Sequence, residues 1–261
     1  MIGIDVDGTL VGSSGEVSPR VWQAAERVRA AGIRMVLCSG RPAFGVALAY
    51  ARRLDSKGWH VFQNGASVVN LGSNESRSVP VPRDIVDRYI ERARRTGDIL
   101  ELYSDREYAT ESDSTWAHEH AKLLGVPYRR KTFESLSGEV VRAQWLMSHT
   151  GAQAFETSAH DGLEIALSSS PLMADTTFVG ITRAGISKGS AIAELAKEYE
   201  IEMRDVMYVG DSDNDLCALE KVGCPVAMEN GSPAVLKAAQ HVVPHVDQGG
   251  VADAMELALR S

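Results

Sequence analysis

No stretch of this 261-residue sequence approaches the roughly 18 apolar residues that a membrane-spanning helix needs, and its first apolar run starts at Met1. No room is left there for a leader peptide, so a cytoplasmic location without membrane partners is expected. Positive charge is also short. Lys and Arg number 27 against 35 Asp and Glu, a net charge of −8, which leaves no electrostatic footprint for a nucleic-acid partner and room for a bound cation. The three cysteines, Cys38, Cys217 and Cys224, are too few and too scattered for a disulfide framework or a zinc knuckle. Cys38 precedes Ser39-Gly40-Arg41, but a cysteine-phosphatase cradle needs Arg five residues after the thiol, and position 44 is Phe. Other phosphate and nucleophile devices are missing as well. No Gly-x-Gly-x-x-Gly follows a strand, Gly-x-Ser-x-Gly does not occur, and Gly180 and Gly185 have Walker spacing with Ile186 where the Lys must stand. What remains is 44% apolar and 24% charged, an ordinary globular composition for one large domain or two smaller ones.

The opening ten residues, MIGIDVDGTL, carry the strongest signal. Ile2 to Ile4 reads as a buried strand of a parallel sheet that stops at Asp5, putting a carboxylate at the strand's carboxyl end, where open α/β sheets place ligands. Asp7 follows two residues on and, if the chain stays extended, faces the same side. Gly8 supplies the freedom for a sharp turn, and Thr9 a hydroxyl to tie it down. A calcium loop is excluded: Glu16 matches the twelfth position counted from Asp5, but the Gly comes two places early and a strand precedes the loop where a helix should end.

Further along, Ser18-Pro19 starts a helix that runs to Gly32, Ile33 to Cys38 is a second parallel strand ending at Ser39, and Arg41-Pro42 is expected to start a helix through about Leu54. Ser39 would then sit beside a helix amino terminus suited to a phosphate oxygen. Trp59 to Phe62 is a third strand, closed by Gln63-Asn64-Gly65. The Gly, Ser, Asn and Pro residues between Leu71 and Pro82 mark a hairpin or boundary. From about 80 to 184 the pattern changes to helices (Arg83 to Arg95, Ser114 to Leu124, Ala152 to Ala159) and strands (Ile99 to Tyr103, Glu107 to Thr110, Val140 to Met147, Leu163 to Leu167, Thr177 to Thr182), which suggests an α+β insertion. The α/β rhythm returns at Ser187, with strands at Val206 to Val209, Pro225 to Met228 and His241 to Val243. Residues 1–79 and 185–261 are thus expected to form one discontinuous core, and 80–184 a second unit.

Asp5 and Asp7, Ser39, the run Asp211-Ser212-Asp213-Asn214-Asp215 and Lys188 all fall on one edge of the parallel sheet. Acids brought that close repel unless a divalent cation lies among them, and oxygen ligands favour Mg²⁺, with Lys188 as a second positive charge for an anionic substrate.

With these residues in place, the chain resembles haloacid-dehalogenase-superfamily phosphatases of the Cof type. Asp5-Val6-Asp7-Gly8-Thr9-Leu10 matches the first block, Ser39-Gly40-Arg41 the second, Lys188 in Gly185-Ile186-Ser187-Lys188-Gly189 the third, and Gly210-Asp211 through Asn214-Asp215 the fourth. Gln63-Asn64-Gly65-Ala66 and Val226-Ala227-Met228-Glu229-Asn230 resemble secondary signatures; Glu229, Gly231 and Gly180 depart from the usual pattern where the far end of a substrate reaches. The resemblance implies a Rossmann-like α/β core with an inserted α+β cap. It implies Asp5 as nucleophile, forming an aspartyl-phosphate, and Asp7 as acid and base. It implies Mg²⁺ at Asp5, the Asp7 carbonyl and Asp211, with Asn214 and Asp215 orienting its waters. Ser39 and Lys188 would hold the phosphoryl group, and Thr9, Gly40, Arg41 and Asn64 would contact substrate. The expected substrate is a small phosphorylated metabolite such as a sugar phosphate, and the expected assembly a monomer or homodimer. A phosphomannomutase-like mutase and a non-catalytic sugar-phosphate sensor are the alternatives. In the cap, Tyr103, Trp116, His118, His120, His149 and His160 are candidate readers of the substrate, and no spacing singles one out.

Overall fold

Ten strands divide between two sheets and two more form a hairpin in the computed structural model, which describes residues 1–156, 162–169 and 173–260. The core sheet holds β1 (Ile2–Ile4), β2 (Met35–Leu37), β10 (Met207–Gly210), β11 (Cys224–Met228) and β12 (His241–Val243) in the order β12-β11-β10-β1-β2, all parallel. The three central strands β1, β2 and β10 are short and buried along their length because both faces are covered, whereas the edge strand β12 leaves Val242 exposed. Ile2, Ile4, Leu37 and Val209 pack toward the layer of α1 (Pro19–Ala30), α2 (Gly45–Leu54) and α9 (Val251–Ala258). Val36, Tyr208 and Ala227 pack toward α6 (Lys188–Glu198), α7 (Leu216–Leu219) and α8 (Pro233–Ala238). The chain runs from β1 to β2 on one side and later returns to β10 on the other. The order therefore reverses at β1, which is where such sheets open a crevice at their carboxyl edge.

The third strand, β3 (Trp59–Phe62), does not extend this sheet as a full member. It forms an antiparallel hairpin with β4 (Ser67–Asn70), unforeseen in the sequence, and touches the core sheet through a single bridge between Cys38 and Val61. The second helix also differs from expectation. It begins at Gly45, four residues after Arg41, and Ser39 is therefore not beside its amino terminus.

Between Arg83 and Arg183 lies the cap. Its sheet is antiparallel throughout, with β5 (Ile99–Tyr103), β6 (Tyr108–Ala109), β7 (Arg142–Met147), β8 (Leu163–Ser169) and β9 (Thr177–Arg183) ordered β6-β5-β7-β9-β8. Among the described residues three α-helices accompany it: α3 (Arg83–Thr96), α4 (Thr115–Leu124) and α5 (His149–Glu156). The end of the expected helix toward Ala159 lies outside the described residues. Alternation sorts the two faces of the sheet. Leu100, Leu102, Ala143, Trp145, Val179 and Ile181 pack with Val86, Tyr89, Ile90 and Ala93 of α3, and the Tyr89 and Trp145 rings meet edge to face at 5.7 Å. The opposite face carries Glu101, Tyr103, Arg142, Gln144 and Gly180 and turns toward the core.

Candidate active site

A cleft of about 780 Å³ separates core and cap, a size that suits a small metabolite. Its core wall includes Asp5, Asp7, Gly40, Arg41, Asn64, Lys188 and Asn214, and its cap wall His120, Arg142, Gln144, Glu164, Phe178 and Gly180.

The core wall is assembled from strand ends. Asp5, Cys38 and Asp211 directly follow β1, β2 and β10, and the amide of Asp5 donates to Val209 O at 3.0 Å, so the parallel ladder itself fixes where the first carboxylate emerges. Asp5 is 4% exposed. Its Oδ1 accepts Lys188 Nζ at 2.6 Å, and the same ammonium reaches Asp215 Oδ1 at 2.7 Å and Asn214 Oδ1 at 3.2 Å. Asp215 is saturated by the chain: Tyr208 OH donates to Oδ1 at 2.7 Å, and the amides of Asp211 and Ser212 donate to Oδ2 at 3.1 Å. The tyrosine fits because residue 3 is Gly; a Cβ there would lie 2.6 Å from the Tyr208 ring. A chain of contacts thus leads from Gly3 through Tyr208, Asp215 and Lys188 to Asp5.

Asp211 is placed by the turn after β1. Gly8 has φ +87°, a conformation that only glycine adopts readily, and a Cβ on it would overlap the Asp211 carboxylate. Thr9 Oγ1 donates to Asp211 Oδ1 at 2.8 Å, and Asn230 Nδ2 holds the Gly8 carbonyl at 2.8 Å. Thr9, expected against substrate, is instead buried and spent on positioning this acid. Asp5, Asp211 and Asp215 each present an oxygen within 4.8 Å of the others. Burial pushes the Asp5 carboxyl well above its ordinary range, reinforced by the charge of Asp215 and only partly offset by Lys188. Burial likewise raises Asp211 to about 6, against the pull of the Thr9 hydrogen bond. Burial alone would lower Lys188, but Asp215 and Asp5 overcome it and hold the ammonium charged.

Two crowded, partly desolvated carboxylates and a glycine-made recess around one of them match a small hard cation, and the donor set is all oxygen. Asp7 is not in this trio. Its side chain is 57% exposed and both its oxygens accept from Arg41, Nε at 2.9 Å and Nη2 at 2.5 Å. Asp7 lines the same cleft as Asp5, but its carboxylate is drawn to Arg41 and stays outside the trio. Ser39 is fully buried, its Oγ accepting the Arg41 amide at 3.0 Å, which orders the loop that presents Gly40 and Arg41. Asn64 has φ +55°, lines the cleft and accepts Asn214 Nδ2 at 3.2 Å.

Of the six cap residues singled out in the sequence, His120 lines the cleft. Tyr103 lies beneath, donating to Glu101, whose carboxylate also meets His120 Nδ1 at 3.0 Å and Gln144 Nε2 at 3.2 Å. His118 stacks on Tyr128 at 3.7 Å, His149 bonds Thr177 Oγ1 at 2.7 Å, and Trp116 packs beside Leu146, Met173 and Phe178; His160 lies outside the described residues. Glu101, Arg142 and Gln144 escaped the sequence reading. Their signal was there in the alternation of Glu101-Leu102-Tyr103 and Arg142-Ala143-Gln144-Trp145, where a polar residue recurs on one face of an otherwise apolar strand.

A sheet edge that gathers acids and a lysine beneath a covering sheet suits chemistry on an anionic group. Residues 2–255 match the haloacid dehalogenase-like hydrolase family, and the chain belongs to it, within its Cof-type phosphatases, as a phosphoric monoester hydrolase. It is similar to the Bacillus subtilis protein named "Putative phosphatase YxeH", at 28% identity over 98% of this chain and 96% of that one. Among solved structures it resembles a haloacid dehalogenase-like hydrolase from Bacteroides thetaiotaomicron, with TM-score 0.83, 27% identity and 98% of each chain covered. The HAD subclass IIB sugar phosphatase BT4131 shares the fold at TM-score 0.80 and 22% identity, covering 98% of this chain and 97% of that one. Among the described residues no helix is long and apolar enough to cross a membrane.

Proposed function

We propose that this protein is a Mg²⁺-dependent phosphatase that hydrolyses small phosphomonoesters, sugar phosphates or related metabolites, through an aspartyl-phosphate on Asp5. The observation that carries this reading is the buried Asp5 carboxylate at the end of β1, fixed by Lys188 at 2.6 Å and opening on a cleft of metabolite size. The name of BT4131 as a sugar phosphatase supports the substrate class.

Asp5 and Asp211, with the Asp7 main-chain carbonyl, would hold the cation, and Asn214 and Asp215 would support it from behind. When bound, Mg²⁺ supplies positive charge that offsets the transferring phosphoryl group and the crowded acids. Lys188 fixes one oxygen of Asp5, and the other attacks phosphorus as the bond to the leaving oxygen breaks. Asp7 gives its proton to that leaving alkoxide. It then takes a proton from the water that attacks phosphorus, breaking the bond to Asp5 and releasing phosphate. Both Asp7 oxygens are held by Arg41, so the cycle begins with Asp7 leaving the guanidinium and taking from solvent the proton that it then gives to the alkoxide. Ser39, through the Arg41 amide, shapes the loop whose Gly40 and Arg41 contact the phosphoryl group and the substrate, and Asn64 flanks it.

The test is phosphate release from a panel of sugar phosphates with Mg²⁺, with chelator, and with the Asp5→Asn protein. Release confined to wild type with Mg²⁺ is expected. Equal release from the variant would refute Asp5 as nucleophile, and equal release in chelator would refute the cation.

A further inference from the structure

Three Lys and Arg side chains line the cleft. Lys188 is bonded to Asp5 and Asp215, and Arg41, paired with Asp7, belongs to the loop assigned to the transferring phosphoryl group. Arg142, on β7 of the cap, is 8% exposed and has no carboxylate partner among the described residues. Its guanidinium lies over the Tyr103 ring at 4.4 Å, and its Nη1 donates to the Gly40 carbonyl at 2.8 Å, while its buried Nε has no acceptor. Nearby acids are engaged or distant. Glu101 already takes Tyr103, His120 and Gln144, and Glu164 is exposed on β8, two strands away and therefore about 10 Å across the sheet. A guanidinium desolvated this far, with donors left over, is costly unless an anion completes it.

Space for that anion adjoins it. Gly180 sits next to Arg142 on the cleft face, and a Cβ built on it would have only ordinary contacts, 3.6 Å from Ala166 O and 3.8 Å from Arg142 Cδ. The bond to Gly40 puts the guanidinium beside the loop after β2, on the cap wall of the same cleft.

We propose that Arg142 is a specificity-determining residue that binds a second oxyanion of the substrate, so that the enzyme favours phosphomonoesters whose leaving group carries a carboxylate or another phosphate. The inference rests on the phosphatase reading of the core site, whose substrate class it narrows. The planar guanidinium suits either oxyanion, and the test separates the two.

The experiment compares kcat/KM for 2-phosphoglycolate, fructose 1,6-bisphosphate and glycerol 3-phosphate, which carry a carboxylate, a second phosphate and neither. Wild type should favour one or both of the first two over glycerol 3-phosphate. In Arg142→Gln that selectivity ratio should fall about 10- to 100-fold, the worth of a charge-assisted hydrogen bond, mostly through KM. Gly180→Asp keeps Arg142 in place but sets a carboxylate beside it, and should lower the same ratio even if Arg142→Gln folds poorly. No wild-type preference, or equal losses on all three esters in both variants, would overturn the proposal and leave Arg142 as a latch on Gly40. Calorimetric binding of the three esters to Asp5→Asn reads the preference without turnover. Failure of the phosphatase reading alone would therefore show as selective binding without wild-type phosphate release.

Discussion

In the core, β1, β2 and β10 are buried from end to end and their reactive groups project only beyond the last residue of each strand. In the cap, β5, β7 and β9 carry theirs along the strands, every second residue, with Trp145 and Val179 interleaved on the other face. The core therefore fixes its acids by main-chain register, while the cap fixes its cleft residues by the packing of their neighbours. A change of chemistry in the core should act on rate, and a change of packing in the cap should act on stability and substrate choice.

The largest expected effect probes the core. Asp5→Asn should cut phosphate release about 10⁴-fold or more, as loss of a nucleophile does, with the circular dichroism spectrum unchanged. A loss of only a few-fold would break the division of labour.

Next comes the cap's own packing. Trp145 is fully buried, and Trp145→Ala should cost about 3–5 kcal/mol in denaturant titration. The stabilisation that Mg²⁺ gives the core should survive this change. A variant in which it disappears would show that the two units unfold as one.

The third test uses pH. The Asp211 carboxyl is held at about 6 in the fold, chiefly by burial, above its ordinary value of 3.8. Between those values the folded protein binds more protons than the unfolded chain, so without metal this group's contribution to stability falls as pH rises through the window and levels off above about 6. Asp211→Asn removes that slope. In chelator it should match wild type near pH 4 and exceed it by about 1–3 kcal/mol at pH 7.5, and Mg²⁺ should stabilise wild type more than the variant. Melting curves at both pH values decide it.

The smallest effect lies at the joint between the units. Asp105, in the turn between β5 and β6, accepts from Ser67 and from Ser76 and Ser78 at 2.5 and 2.6 Å, tying the cap to the β4 hairpin and the segment that leads on to α3. Asp105→Asn should cost about 1–2 kcal/mol and raise KM a few-fold with little change in kcat. A fall in kcat alone would place Asp105 in the chemistry.

Much of the core site is legible in the sequence because its residues sit at fixed offsets from strand ends. Asp5 follows Ile4, Ser39 follows Cys38, and Asp211 follows Gly210, so an apolar run and its end locate each of them. Their supports are not legible there. Tyr208 reads as one more apolar strand residue until Gly3 is seen to leave room for its ring, and Thr9 reads as a ligand until its hydroxyl is found on Asp211. The helix expected from Arg41 starts at Gly45, because Arg41 is drawn to Asp7 and Ser39 accepts its amide.

By itself the sequence determined the acids, the lysine, the strand ends that carry them and the change of rhythm that marks the cap, since all of these are local: composition, period and spacing along one chain. Only the tertiary structure decided that Asp7 turns to Arg41, that Asp215 is saturated by Tyr208 and main-chain amides, and that Arg142 is left with an empty side. Those outcomes depend on which groups from distant segments reach an atom first, and no pattern along the chain records that competition.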